Sequence, residues 1–158
     1  MQKKYRTTMD YKKQSPIDNC SGLLTFKIAE QDFCTDMANV VEIINPLELD
    51  QEANISSENP HVNLGVIKIP MIDLYKMFDM NPRPRSKDDR IIVIEIESKF
   101  FGFLVEKISN IYSLDNELKN EIEFISRQAL IHLAGILKFR NKDMFFMDFL
   151  SVVSEKVK

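Results

Sequence analysis

The sequence predicts an all-β fold, a sandwich or barrel of short strands. Three observations carry that expectation. Apolar and β-branched runs of strand length recur along the chain, polar turn segments separate them at intervals of about ten residues, and few stretches show a helical period. The composition agrees: of 158 residues, 44% are hydrophobic and 28% charged, with 4 Gly and 6 Pro. Those values describe a packed globular protein and exclude collagen-like, low-complexity and disulfide-scaffold classes.

Residues 1–21 are polar and lysine-rich without apolar periodicity, and are expected to form a flexible N-terminal tail. Leu24, Phe26 and Ile28 then share one face of a strand, with Thr25 and Lys27 facing away. Glu30-Gln31-Asp32 is a polar break of hairpin length, and Phe33 to Met37 is the return strand. Ala38 to Ile44 is β-branched and stops at Asn45-Pro46, because proline disfavours a helical residue before it. Residues 47–59 are acidic and polar and read as a long loop. Val66 to Leu74 is a strand whose internal Pro70 implies an edge position or a bulge. Asp73 is placed to cap a short helix reaching Phe78.

Residues 79–89, with Pro82 and Pro84, form a second loop. Arg90 to Glu97 is the clearest strand, and Ser98-Lys99 turns it into Phe100 to Val105. Lys107 to Leu114 fits both periods, and strand is favoured because Ile and Tyr are good strand formers. A short helix fits Asn116 to Phe124. Ile131 to Phe139 and Asp143 to Phe149 flank Arg140-Asn141-Lys142 as a third hairpin. A brief helix over Phe149 to Val153 precedes a charged C-terminal tail, residues 154–158. The 79–89 loop divides the strands into two hairpin-centred groups.

The formal net charge is −3, unevenly spread. Residues 1–21 hold five basic and two acidic groups, net +3, which leaves sixteen basic and twenty-two acidic groups, net −6, in the body. An acidic body repels phosphate backbones and argues against nucleic-acid binding. Two cysteines are too few for a disulfide framework and point to reduced thiols in the cytoplasm. No signal-peptide pattern opens the chain, and no apolar run reaches the ~18–20 residues of a membrane span.

Catalytic chemistry is sparse. His61 and His132 stand in no metal-binding pair, and Cys34, beside Phe33, lacks a neighbouring cation to lower its pKa and reads as a small buried hydrophobe. No glycine-rich phosphate loop or paired-cysteine zinc pattern is present. The basic run Arg83 to Lys87 is offset by Asp88 and Asp89, and the acidic residues Asp115, Glu117, Glu121 and Glu123 lack the alternation of a calcium loop. No catalytic residue, metal site or cofactor is expected. A β-rich module without such groups works most naturally by binding other proteins.

The order of the pieces resembles the CheW-like chemotaxis adaptor family over residues 22–153. Leu24 to Ala29 with Asp32-Phe33 is similar to the family's opening strand and turn, and Val40-Val41-Glu42-Ile43 to its V-x-E-I segment. Val62-Asn63-Leu64 and Ile69-Pro70-Met71-Ile72-Asp73-Leu74 follow its N-L-R-G…I-P-V-I-D-L stretch. Ile91 to Glu95, Gly102 to Ile108, Leu133 to Leu137 and Met144 to Asp148 follow its later strands in order. The resemblance implies two intertwined five-stranded SH3-like barrels with short helices. It also implies a non-enzymatic cytoplasmic scaffold that joins methyl-accepting chemoreceptors to the histidine kinase CheA, with a receptor's helical tip in the groove between the barrels.

By the same resemblance, Val40, Glu42, Ile43, Asn63, Leu64 and Gly65 are the receptor-binding residues. Val40 and Ile43 also admit a plain core role. The chain departs from the family at N-L-R-G, where Gly65-Val66 follow Asn63-Leu64 and the arginine is missing. An arginine lost from an interface anchor can cost ~2 kcal/mol. A second departure is the acidic stretch 48–58, which lacks a proline-rich approach. Two further readings stand beside the first: a related scaffold for another chemosensory-type pathway such as surface motility, and a small β-barrel enzyme using Cys34 and His132.

Overall fold

A computed structural model describes residues 15–50, 52–126 and 133–156. Among them, strands β1 (Gly22–Ile28), β2 (Gln31–Asp36), β8 (Lys107–Ser113), β9 (Glu123–Ser126), β10 (Leu133–Phe139) and β11 (Lys142–Met147) form one curled sheet in the order β8-β1-β2-β11-β10-β9. Strands β3 (Val40–Ile44), β4 (His61–Leu64), β5 (Ile67–Ile72), β6 (Arg90–Ile96) and β7 (Lys99–Val105) form the other, ordered β3-β6-β7-β5-β4. The expected pair of five-stranded barrels is met, with a sixth strand in the first. Among the described residues four short α-helices accompany the strands: α1 (Glu52–Ile55) and α2 (Leu74–Met77) within the second sheet's stretch of chain, α3 (Asn116–Lys119) between β8 and β9, and α4 (Phe149–Lys156) after β11.

The first and last strands of the described chain both lie in the first sheet, where β2 and β11 run parallel with Phe33 opposite Phe145. The chain therefore leaves the first sheet after β2, builds the second, and returns. The division drawn at the 79–89 loop needs correction, because that loop lies between α2 and β6, both on the second sheet's stretch of chain. Non-local pairing, which no local pattern encodes, decides the partition.

The hairpins explain the shifted boundaries. The turns occupy Ala29-Glu30, Glu97-Ser98 and Arg140-Asn141, with φ of 51° and 66°, 52° and 67°, and 51° and 63°. Two successive left-handed residues make the tight turn that matches strand twist, usually marked by glycine. None of these six residues is glycine, so the sequence offered no such marker. Strands β4 and β9 and helix α1 were not anticipated. The Asp73 cap was, and its carboxylate accepts from the Lys76 amide at 3.2 Å. Pro70 sits in β5, an interior strand and not an edge, opposite His61. The parallel pairing of β5 with β7 begins at Met71, one residue beyond.

Alternate residues feed separate cores. On β6, Ile92 and Ile94 enter the central cluster, while Ile91 and Val93 enter a small cluster inside the second sheet. That two-sided burial is why this strand is continuously apolar. On β1, Leu24, Phe26 and Ile28 face the central cluster as the alternation predicts. Thr25 faces away but is buried, its hydroxyl donating to the Asn110 carbonyl and accepting from the Asn110 amide. The central cluster joins both sheets through Phe33, Met147, Phe101 and Phe103, and α4 closes it with Phe149, Val152 and Val153. Phe103 and Phe149 stack at 4.3 Å with planes 4° apart, a geometry worth ~1 kcal/mol beyond buried area.

Order extends past both expected domain boundaries. Ile17 and Cys20 are buried in the first sheet's own cluster with Leu23, Cys34 and Phe146, so part of the stretch read as tail is packed. Residues 1–14 lie outside the described residues. At the other end α4 runs beyond Val153 to Lys156.

Candidate protein-interaction site

Strand β3 is an edge strand, paired only with β6 in its sheet. Val40 opposes Ile94 and Glu42 opposes Val93, so Val41 is an extra residue in a bulge. The bulge resets the alternation. Val40 and Ile43 both turn inward and pack against the central cluster, Ile44 enters the small one, and Val41 and Glu42 are left outside. Val41 is 47% exposed. Of the three expected site residues on this strand, Glu42 is presented fully, while Val40 and Ile43 are partly buried.

Asn63, Leu64 and Gly65 lie on the opposite edge of the same sheet. Asn63 and Gly65 are exposed, and Leu64 packs against the small cluster. Leu64 pairs with Ile67, leaving Gly65-Val66 as a two-residue turn. Gly65 takes φ 61°, with nothing within 4 Å of where a side chain would begin. Val66 does not share the positive φ, which is the pattern of a type II′ hairpin turn opened by glycine. Val66 is wholly exposed and Ile67 45% exposed. The two groups of candidate residues meet only indirectly, in that Ile44 of β3 and Val62 and Leu64 of β4 share one apolar cluster.

Sequence reasoning missed the outward apolar residues Val41, Val66, Leu47 and Leu49. A signal existed for the first: two adjacent β-branched residues in a strand cannot both point inward unless both faces are buried. Nothing local marked Val66 as the tip of a turn except the glycine before it.

The titratable groups are arranged differently from the enzyme reading. Cys34 is fully buried, and burial pushes its thiol pKa upward. Cys20, also buried, has its thiol pushed up to about 12 by burial first and the charge of Asp36 second. Both thiols are free. His61, expected in a solvated loop, begins β4, half-buried, with Nδ1 2.9 Å from the Asn59 carbonyl oxygen. His132 lies outside the described residues. Among the described residues no three His, Cys, Asp or Glu side chains are placed to hold a metal, and no helix is long and apolar enough to cross a membrane.

Two interleaved curled sheets around a shared core, closed by a C-terminal helix, define a double-barrel protein of SH3-like type. The model of the CheW-like domain family matches residues 22–157, and the chain belongs to that family. It is 28% identical over 153 residues to the probable chemotaxis protein CheW of Rhizobium etli, covering 93% of this chain and 96% of that one. The solved structure of the scaffolding protein TtCheW from Thermoanaerobacter tengcongensis is similar as well. It superimposes with a TM-score of 0.64 at 26% identity, over 82% of this chain and 89% of the other.

Proposed function

We propose that this protein is a non-enzymatic cytoplasmic adaptor that couples methyl-accepting chemoreceptors to the histidine kinase CheA in signalling arrays. The observation that carries the reading is the family match across residues 22–157, nearly the whole chain. The names of its relatives, a probable chemotaxis protein and a scaffolding protein, point the same way. An adaptor needs outward-facing anchors on a rigid frame, and strand edges with exposed apolar side chains supply them.

In this reading Glu42 is the orienting charge of the receptor site, beside Val41 as an apolar contact. Val40 and Ile43 hold β3 against the central cluster and present the other two. Asn63, Leu64 and Gly65 shape the second edge, where the exposed Val66 and Ile67 take part in place of an arginine. The two barrels over residues 22–153 form the adaptor domain, with Ile17 and Cys20 packed against the first barrel as an extension of it. A reaction by Cys34 is disfavoured, since a buried thiol with a raised pKa supplies no thiolate near neutrality.

The Gly65-Val66 turn favours a second reading, in which the same fold serves another chemosensory-type pathway such as surface motility. The apolar knob at Val66, following a turn from which the family's arginine is missing, selects a different receptor surface. Titration with a receptor cytoplasmic fragment and with the kinase separates the two. Binding to both supports the chemotaxis adaptor; binding to the kinase alone favours the divergent scaffold.

A further inference from the structure

The chain crosses from the second sheet back to the first at one residue, Glu106, which lies between β7 and β8. Its amide donates to the Lys27 carbonyl on β1 at 2.9 Å. Its carboxylate oxygen Oε2 accepts from two donors at once. One is the Ala29 amide, 2.8 Å away in the β1–β2 turn of the first barrel. The other is the hydroxyl of Tyr75 on α2, which follows β5 of the second barrel. The neighbouring turn residue Glu30 is paired at 2.8 Å with Arg83, in the loop after α2. One end of the first barrel is thus tied to the second by side chains that converge on a single turn.

From this convergence the geometry points to Glu106 as a positioning residue, a latch that fixes the angle between the two barrels and with it the alignment of their exposed edges. The large central cluster already binds the barrels together, but apolar contact is non-directional. Hydrogen bonds are directional and select one arrangement among those that bury similar area. The two bonds on Oε2 meet at the hinge point, where a small change in angle moves the far edges most. Tyr75 is suited to the task, since burial and then its bond to Glu106 push the hydroxyl pKa upward and keep it a donor. The exposed Arg83–Glu30 pair is the weaker part of the latch, as surface ion pairs contribute little. The latch needs no partner to operate, so it stands or falls separately from the adaptor reading.

The test is a distance measurement between nitroxide labels at Lys68→Cys on the second barrel and Lys142→Cys on the first, both exposed positions. The native Cys20 and Cys34 are buried and escape labelling in the folded protein. The otherwise native chain gives one narrow distance distribution. Glu106→Ala broadens it by about twofold or splits it, as expected of a released hinge. Glu106→Gln, which keeps an acceptor oxygen, restores the narrow distribution. If Glu106→Ala does not fold, the double variant Tyr75→Phe with Arg83→Ala decides, because it removes two of the three side-chain ties, those of Tyr75 and Arg83, and leaves the Glu106–Ala29 bond. An unchanged width in every variant that folds overturns the latch, even where the melting temperature falls, because a merely stabilising contact lowers stability without altering the angle.

Discussion

Glu42 and Ile43 are neighbours on β3 with opposite environments, one exposed and one packed against the central cluster. Glu42→Lys is therefore expected to leave the melting temperature nearly unchanged while weakening receptor binding. A large stability loss would make Glu42 a structural residue. Ile43→Ala should instead cost about 1–2 kcal/mol in urea unfolding, below the ~2–5 kcal/mol of a fully buried isoleucine. The thiols give a prediction in pH. The folded Cys20 holds its proton to about pH 12 against an ordinary value of 9.0, and Cys34 shifts in the same direction. Raised folded pKa values stabilise fully below the unfolded value and lose that contribution as pH rises through the folded one. The thiols should then add no slope to the melting temperature up to pH 9.0 and a decline above it, which Cys20→Ala makes less steep. Rapid labelling of Cys34 at neutral pH, without unfolding, would contradict its burial.

Individual elements were legible where alternation was clean. Leu24, Phe26 and Ile28 announced β1, and the continuous run Ile91–Ile94 announced β6 because both its faces meet a core. The short strands β4 and β9 were not legible: four residues such as Glu123 to Ser126 carry too little pattern. The bulge at Val41 was hidden too, since a bulge depends on the partner strand, although a core role for Val40 and Ile43 was readable from their apolar character. Of the candidate site, Glu42 was readable as an outward charge, whereas the apolar knob at Val66 needed the β4–β5 register. Two glycines test this scale. A side-chain carbon on Gly135 would lie 2.2 Å from the Ile125 carbonyl oxygen on β9, a backbone atom that cannot step aside. Gly135→Ala should cost about 2–3 kcal/mol, the upper part of the overpacking range, and loosen β9 in hydrogen exchange. Gly65→Ala meets open space but not the right φ, and should cost only about 1 kcal/mol.

At the scale of the whole molecule, the interleaved chain makes the barrels inseparable. The first sheet needs β1 and β2 together with β8 to β11, and the second needs β3 to β5 together with β6 and β7. A cut in the 79–89 loop leaves neither fragment with a complete sheet. Residues 15–88 and 89–158 expressed apart should each lack cooperative thermal unfolding by circular dichroism, and regain it on mixing. Independent folding of either fragment would revive the division at that loop. The central proposal is that this rigid double barrel carries receptor and kinase contacts at once. Calorimetric titration of the intact chain with its cognate kinase and with a receptor cytoplasmic fragment tests it most directly. The account predicts saturable binding to each with Kd at or below about 10 μM, a gain of roughly 7 kcal/mol; heats no different from dilution with both partners at that concentration would contradict it.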